Sequence, residues 1–122
     1  MDKGKTMWYE FEQNNSGGIF DIGDVLDVKV FVEADRANAA NDIAENHGIY
    51  FDGCYNNMDC SCCGDRWNTV GECSYEKHEK IPVDKYTFNW SDTIAVIPLV
   101  GKPFKIHKDR LGEHADIIED KR

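Results

Sequence analysis

The sequence predicts an α+β fold, in which a small antiparallel sheet packs with one main helix and carries a cysteine-rich metal-binding loop. Three observations predict it. Residues 7–12 and 25–33 alternate apolar and polar side chains, the two-residue period of strands. The segment between Asp35 and Gly48 switches to helical spacing. Four of the five cysteines, Cys54, Cys60, Cys62 and Cys63, then fall within one short stretch, with Cys73 following.

The first strand places Met7, Tyr9 and Phe11 on one side and Trp8, Glu10 and Glu12 on the other. A dense turn cluster follows, Asn14-Asn15-Ser16-Gly17-Gly18. In the second strand Leu26, Val28, Val30 and Val32 share one face, opposite Asp27, Lys29, Phe31 and Glu33. It is expected to pair antiparallel with residues 7–12. Asp35 stands where a helix N-cap belongs and Gly48 where the residue just past the C-cap belongs. Between them Ala37, Ala40, Ile43, Ala44 and His47 fall on one narrow face, which suits close packing on a sheet.

Residues 74–85 are polar and read as an exposed connection. Tyr86, Phe88 and Trp90 alternate with Thr87 and Asn89, a strand pattern. Thr93 to Val100 reads as a further strand, turned by Gly101-Lys102-Pro103 into Phe104-Lys105-Ile106 as a hairpin. Residues 1–122 form a single domain on this reading, with a charged C-terminal tail, 108–122, for which a short helix lined by Leu111, Ala115 and Ile118 and a frayed end are the two alternatives.

Charge narrows the function classes. The net charge is −9, from 14 basic and 23 acidic residues. Residues 1–63 hold 12 acidic and 4 basic side chains and residues 64–122 hold 11 and 10, so −8 of the −9 lies in the first half. Such a surface repels phosphate backbones and disfavours direct nucleic-acid binding. No apolar run approaches the ~20 residues that cross a bilayer. A reducing, cytoplasmic setting is expected, in which clustered cysteines serve as metal ligands more often than as disulfides.

The chemistry of the cysteine cluster follows from spacing. Cys60-Ser61-Cys62-Cys63-Gly64 contains a C-x-x-C with a following glycine, a geometry that turns two sulfurs toward one tetrahedral centre. Cys54, Cys60, Cys63 and Cys73 are the expected ligands of one structural zinc. Cys62 and His47 are alternative ligands, and the set Cys54, Cys60, Cys62 and Cys63 draws all four from one loop. Zinc held by four thiolates carries a charge of about −2, which the nearby Arg66 would offset unless it pairs with Asp59 or Asp65. The two aspartates are expected to cap turns or pair with Arg66. The sequence carries no Gly-rich phosphate loop, H-E-x-x-H or G-x-S-x-G motif. Trp8, Phe31 and Trp90 are candidate partner-binding aromatics, with a second hydrophobic core as the competing assignment for those on strands.

Gly48-Ile49-Tyr50-Phe51-Asp52-Gly53 followed by Asp59-Cys60-Ser61-Cys62-Cys63-Gly64-Asp65-Arg66-Trp67 resembles a family of small phage-encoded proteins of unknown function. The shared pattern is a strand, a helix and a D-C-x-C-C-G-D-R-W loop, and it spans roughly residues 25–67. The helix here departs from the pattern in having Asn where Glu is expected. The resemblance implies expression in an infected bacterium and supplies no activity.

The functional expectation is a non-enzymatic phage protein, stapled by zinc, that binds and modulates a host protein in the host bacterial cytoplasm, for host takeover or defence evasion. One alternative is an acidic DNA mimic that inhibits a nucleic-acid-binding protein. The other is a small zinc metalloenzyme with an open coordination position beside Asp59 and Asp65.

Overall fold

The computed structural model describes residues 5–14, 20, 22–59, 63–73, 75–84, 86–88 and 90–120. Their order is β1 (Met7–Glu12), β2 (Lys29–Ala34), α1 (Ala37–Asn46), β3 (Lys77–His78), β4 (Ile81–Val83), β5 (Thr93–Ile97), β6 (Phe104–His107), a kinked 3-10 segment (Lys108–His114) and β7 (Ile118–Asp120). This is an α+β arrangement around a five-stranded sheet of order β3-β1-β2-β5-β6. The expected pairing of the first two strands holds, from Met7 opposite Ala34 to Glu12 opposite Lys29. The hairpin of β5 and β6 holds as well. The sheet is mixed rather than antiparallel throughout, because β2 and β5 run parallel. A parallel pair needs a long crossover, and α1 begins that crossover directly after β2.

The sheet is covered on both faces. On one face Tyr9, Phe11, Val30, Val32, Ala95 and Ile97 pack beneath Ala37, Ala40 and Ala44 of α1, joined by Trp67 and Val70. Alanine on the buried helix face lets the backbone approach the sheet closely. On the other face Trp8, Phe31, Ile94, Val96 and Ile106 pack with Ile81 of β4, and Phe88, Leu111, Ile117 and Ile118 press against them. A sheet buried on both faces needs apolar residues at consecutive positions in its inner strands. Ile94-Ala95-Val96-Ile97 meets that need, and all four side chains are buried.

Several elements differ from the sequence expectation. Trp8 and Phe31 belong to the second core, not to a partner surface: they are 5% and 0% exposed. Residues 74–85 are not a bare connection. They supply β3, which extends the sheet beside β1, and β4, whose Ile81, Pro82 and Val83 are all buried. Of the tail, the described residues form the kinked 3-10 segment and β7, which pairs parallel with β4 from Ile81 opposite Ile118 to Val83 opposite Asp120. Residues 86–88 form a turn rather than a strand. Asp84 makes that turn by accepting the amides of Tyr86 (2.9 Å) and Thr87 (3.2 Å), a local side-chain bond that competes with strand pairing.

The helix also starts differently. Its N-cap is Arg36, whose side chain makes no capping bond. Arg36 has no acceptor to offer an orphan amide, and the carboxylate of Glu72 accepts the Ala37 N–H instead. Glu72 thereby supplies the anion that a helix N-terminus favours. It also accepts hydrogen bonds from Tyr9 (3.2 Å) and Lys77 (3.0 Å). Burial and the bond to Glu72 together push the Tyr9 hydroxyl up to about 12. The C-terminal end is as expected: Gly48 takes φ +105° and the Ile49 amide returns to the Ala44 carbonyl at 3.1 Å, a glycine-based stop.

The two-sided burial separates the aromatics by role. Phe31→Ala is expected to cost roughly 3–5 kcal/mol in urea unfolding, the range for emptying a core aromatic site. Trp90→Ala, at an exposed position, is expected to cost less than about 1 kcal/mol.

Candidate functional site

The cysteine loop is closed by a clasp that the sequence only partly announces. Asp59, with a fully buried side chain, accepts hydrogen bonds from the Tyr50 hydroxyl (2.6 Å) and the Arg66 amide (2.7 Å). The Arg66 guanidinium lies against this carboxylate (3.8 Å), donates to the Tyr50 oxygen (3.1 Å) and reaches Gln13 Oε1 (2.8 Å). Burial first, and then the bond to Asp59, push the Tyr50 pKa up, with Arg66 working against them. Asp65 accepts the Cys54 amide at 2.9 Å, and the Asn14 side-chain amide donates to the Cys63 carbonyl at 2.6 Å. Both aspartates therefore tie turns or pair with Arg66. Gly53 is required at the start of the loop, because a Cβ there would come within 1.8 Å of Asp59 Oδ2.

The clasp continues into the sheet. Gln13 Nε2 donates to the Asp27 carbonyl at 3.1 Å. The Asp27 carboxylate, also fully buried, accepts Lys105 at 3.0 Å, the Val28 amide at 2.8 Å and the Thr93 hydroxyl. The segment entering β2 and the strands β5 and β6 are thus tied to the loop by polar contacts. Alternation placed Asp27 on a polar face; its burial depends on Lys105 and Thr93, which arrive from far along the chain.

The candidate ligands are placed unevenly. Cys54 is half-buried, while Cys63 and Cys73 are exposed; Cys60 and Cys62 lie outside the described residues. Cys54, Cys63 and Cys73 do not come together, since no group of three potential ligands forms among the described residues. The neighbours of each explain why. Glu72, beside Cys73, is fastened to the start of α1, whereas Cys63 is held by Asn14 beyond the far end of β1. His47 lies in the last helical turn with Nδ1 2.8 Å from the Ile43 carbonyl.

A groove with different chemistry lies beside the end of β1. β3 has only two residues, so β1 outlasts it. The Glu10 N–H goes to the Glu76 carbonyl (2.8 Å) and the Asn14 N–H to the Arg66 carbonyl (2.8 Å). Strand alternation turns the backbone of Glu12, between them, to the same side. The resulting cavity measures about 400 Å³ and is lined by Glu10, Glu12, Glu76, Phe20, Tyr75 and Trp90, with Gln13, Asn14, Asn68, Thr69 and Val70. Trp90 is 66% and Tyr75 84% exposed, and the Phe20 and Trp90 rings lie 6.3 Å apart. The charge of Glu76 first, then burial and the charges of Glu10 and Glu12, push the Tyr75 pKa up. Of the three aromatics singled out from sequence, only Trp90 borders the groove.

Glu10 connects the groove to the second face. It meets His78 at 3.0 Å and Lys29 at 3.4 Å, all three side chains being mostly buried. Burial pushes the Glu10 pKa up, but the His78 hydrogen bond and the Lys29 charge outweigh it, and the net direction is down.

The fold and these two features define a mixed-sheet α+β domain with a clasped cysteine loop. Its family is shown by comparison: a sequence profile described as a domain of unknown function, DUF7296, matches residues 6–115, and the chain belongs to that family. No curated protein and no solved structure matches it. No helix among the described residues is long and apolar enough to cross a membrane.

Two outcomes are expected here. Asp59→Ala leaves Arg66 without its buried partner and should cost roughly 3–5 kcal/mol in urea unfolding, with Gly53→Ala also destabilising. Because the Glu10 pKa is lowered on folding, its contribution is present above the unfolded value and is lost as pH falls through the folded one. Glu10→Gln should therefore cost about 2 kcal/mol at pH 7. The gap to the wild type should narrow as urea unfolding is repeated at lower pH.

Proposed function

We propose that the protein is a non-enzymatic binding protein of phage origin that takes hold of a host protein in the bacterial cytoplasm through the acidic, aromatic groove. The observation that carries this reading is the groove itself. Trp90 and Tyr75 are exposed and line one cavity with Glu10, Glu12 and Glu76, and exposed aromatics within a polar rim are the surface type that anchors protein partners. The resemblance of the cysteine loop to phage-encoded proteins supports the host setting.

Zinc belongs to this proposal as a structural staple. Cys63 is held by Asn14 beyond the end of β1, whereas Glu72, next to Cys73, is fastened to the start of α1; this supports the single-loop set Cys54, Cys60, Cys62 and Cys63, with Cys54, Cys60, Cys63 and Cys73 as the alternative. Four thiolates leave no open coordination position, so the ion would brace the loop without catalysing a reaction.

One preparation tests both parts. The tagged protein is recovered from bacterial lysate and weighed intact by native mass spectrometry. The expected result is one zinc per chain, kept by Cys73→Ser and lost by Cys54→Ser and Cys63→Ser, with a stoichiometric host protein whose capture Trp90→Ala abolishes. A metal-free protein would remove the staple. Capture indifferent to Trp90→Ala, or no stoichiometric partner, would remove the groove as the binding surface.

A further inference from the structure

We infer that the groove beside β1 is a receptor for a cationic side chain, an arginine or lysine carried on an extended segment of the partner protein. This deepens the binding reading above and rests on it. Charge complementarity selects the occupant. Glu10, Glu12 and Glu76 line one cavity, and none of its other described lining residues is basic. Glu10 is matched by Lys29 and His78 on its other side. Glu12 stands opposite Lys29 in the strand register, and neither Glu12 nor Glu76 forms an ion pair among the described residues, so the described lining of the groove carries net negative charge.

The aromatic walls narrow the choice further. Trp90, Phe20 and Tyr75 line the same cavity as these glutamates, and a cation set against an aromatic face and a carboxylate gains from both. A phosphate or carboxylate ligand would meet repulsion at every acidic wall. A purely apolar ligand would bury the carboxylates without compensation. The size agrees, since a cavity of about 400 Å³ lies at the small end of ligand pockets and suits a side chain. The sheet adds a reason for an extended segment: among the described residues β3 pairs no further than β1's Trp8 and Tyr9, alternation turns the Glu12 backbone to that same edge, and an incoming main chain adds to such an edge through amide and carbonyl groups.

The test uses the purified full chain and a short Gly-Arg repeat peptide, with a Gly-citrulline peptide of the same length as the uncharged counterpart. Isothermal titration should show saturable binding of the arginine peptide that weakens with added salt. The citrulline peptide should bind at least about tenfold more weakly. Glu12→Gln, Glu76→Gln and Trp90→Ala should each weaken the arginine peptide by about fivefold or more, with circular dichroism unchanged. Glu113→Gln, an exposed acid elsewhere, should bind as the wild type does. Equal binding of both peptides, equal weakening by Glu113→Gln, or no binding at all would overturn the inference. It is also overturned, with the binding reading intact, if Trp90→Ala abolishes host-protein capture while Glu12→Gln and Glu76→Gln do not and the arginine peptide fails to compete.

Discussion

The contact on which the rest depends is the buried pairing of Asp59 with Arg66. A carboxylate removed from water is tolerable only when its oxygens are met by charge and by hydrogen-bond donors. Here Tyr50, the Arg66 amide and the guanidinium supply them together. Those groups come from the segment entering the cysteine loop and the segment leaving it, so satisfying one aspartate also fixes where the loop begins and ends. Gln13 and Asp27 extend the same demand into the sheet. The loop geometry is therefore set from its base, by these polar contacts.

The groove follows from a different constraint, the brevity of β3. Two paired residues, His78 opposite Trp8 and Lys77 opposite Tyr9, end the sheet edge before β1 has finished. Residues 68–70 and 75–76 border the cavity beside this edge. An unfinished edge is a hazard in a free protein, because it invites pairing with other chains. Acidic side chains at Glu10, Glu12 and Glu76 restrict which chains can approach.

Much of this was legible in the residues. The alternation of 7–12 and 25–33 placed Tyr9, Phe11, Val30 and Val32 on the correct face, and alanine spacing with Gly48 located the helix and its end. Asp59 and Arg66 were readable as a pair from their position around the loop. Alternation sorts residues onto two faces but does not say whether both are covered. Trp8 and Phe31 look like surface aromatics until β4 and β7 are found above them, and those strands have three residues each, too few for a period to show. The groove was hidden for a related reason. Glu12, Glu76 and Trp90 are neighbours only because a sheet edge stops, and sequence spacing carries no trace of that.

The bond from Glu72 to the start of α1 has a consequence for how the molecule opens. The helix amide at Ala37 is fastened by a residue 35 positions further along, not by its own cap. Without that carboxylate the first turn has no side-chain acceptor, and a short helix with a frayed first turn is marginal in water. The first turn of α1 and the segment around Glu72 should therefore loosen together, as one cooperative unit in amide hydrogen exchange. During folding the helix would be completed only after the chain beyond Trp67 has docked.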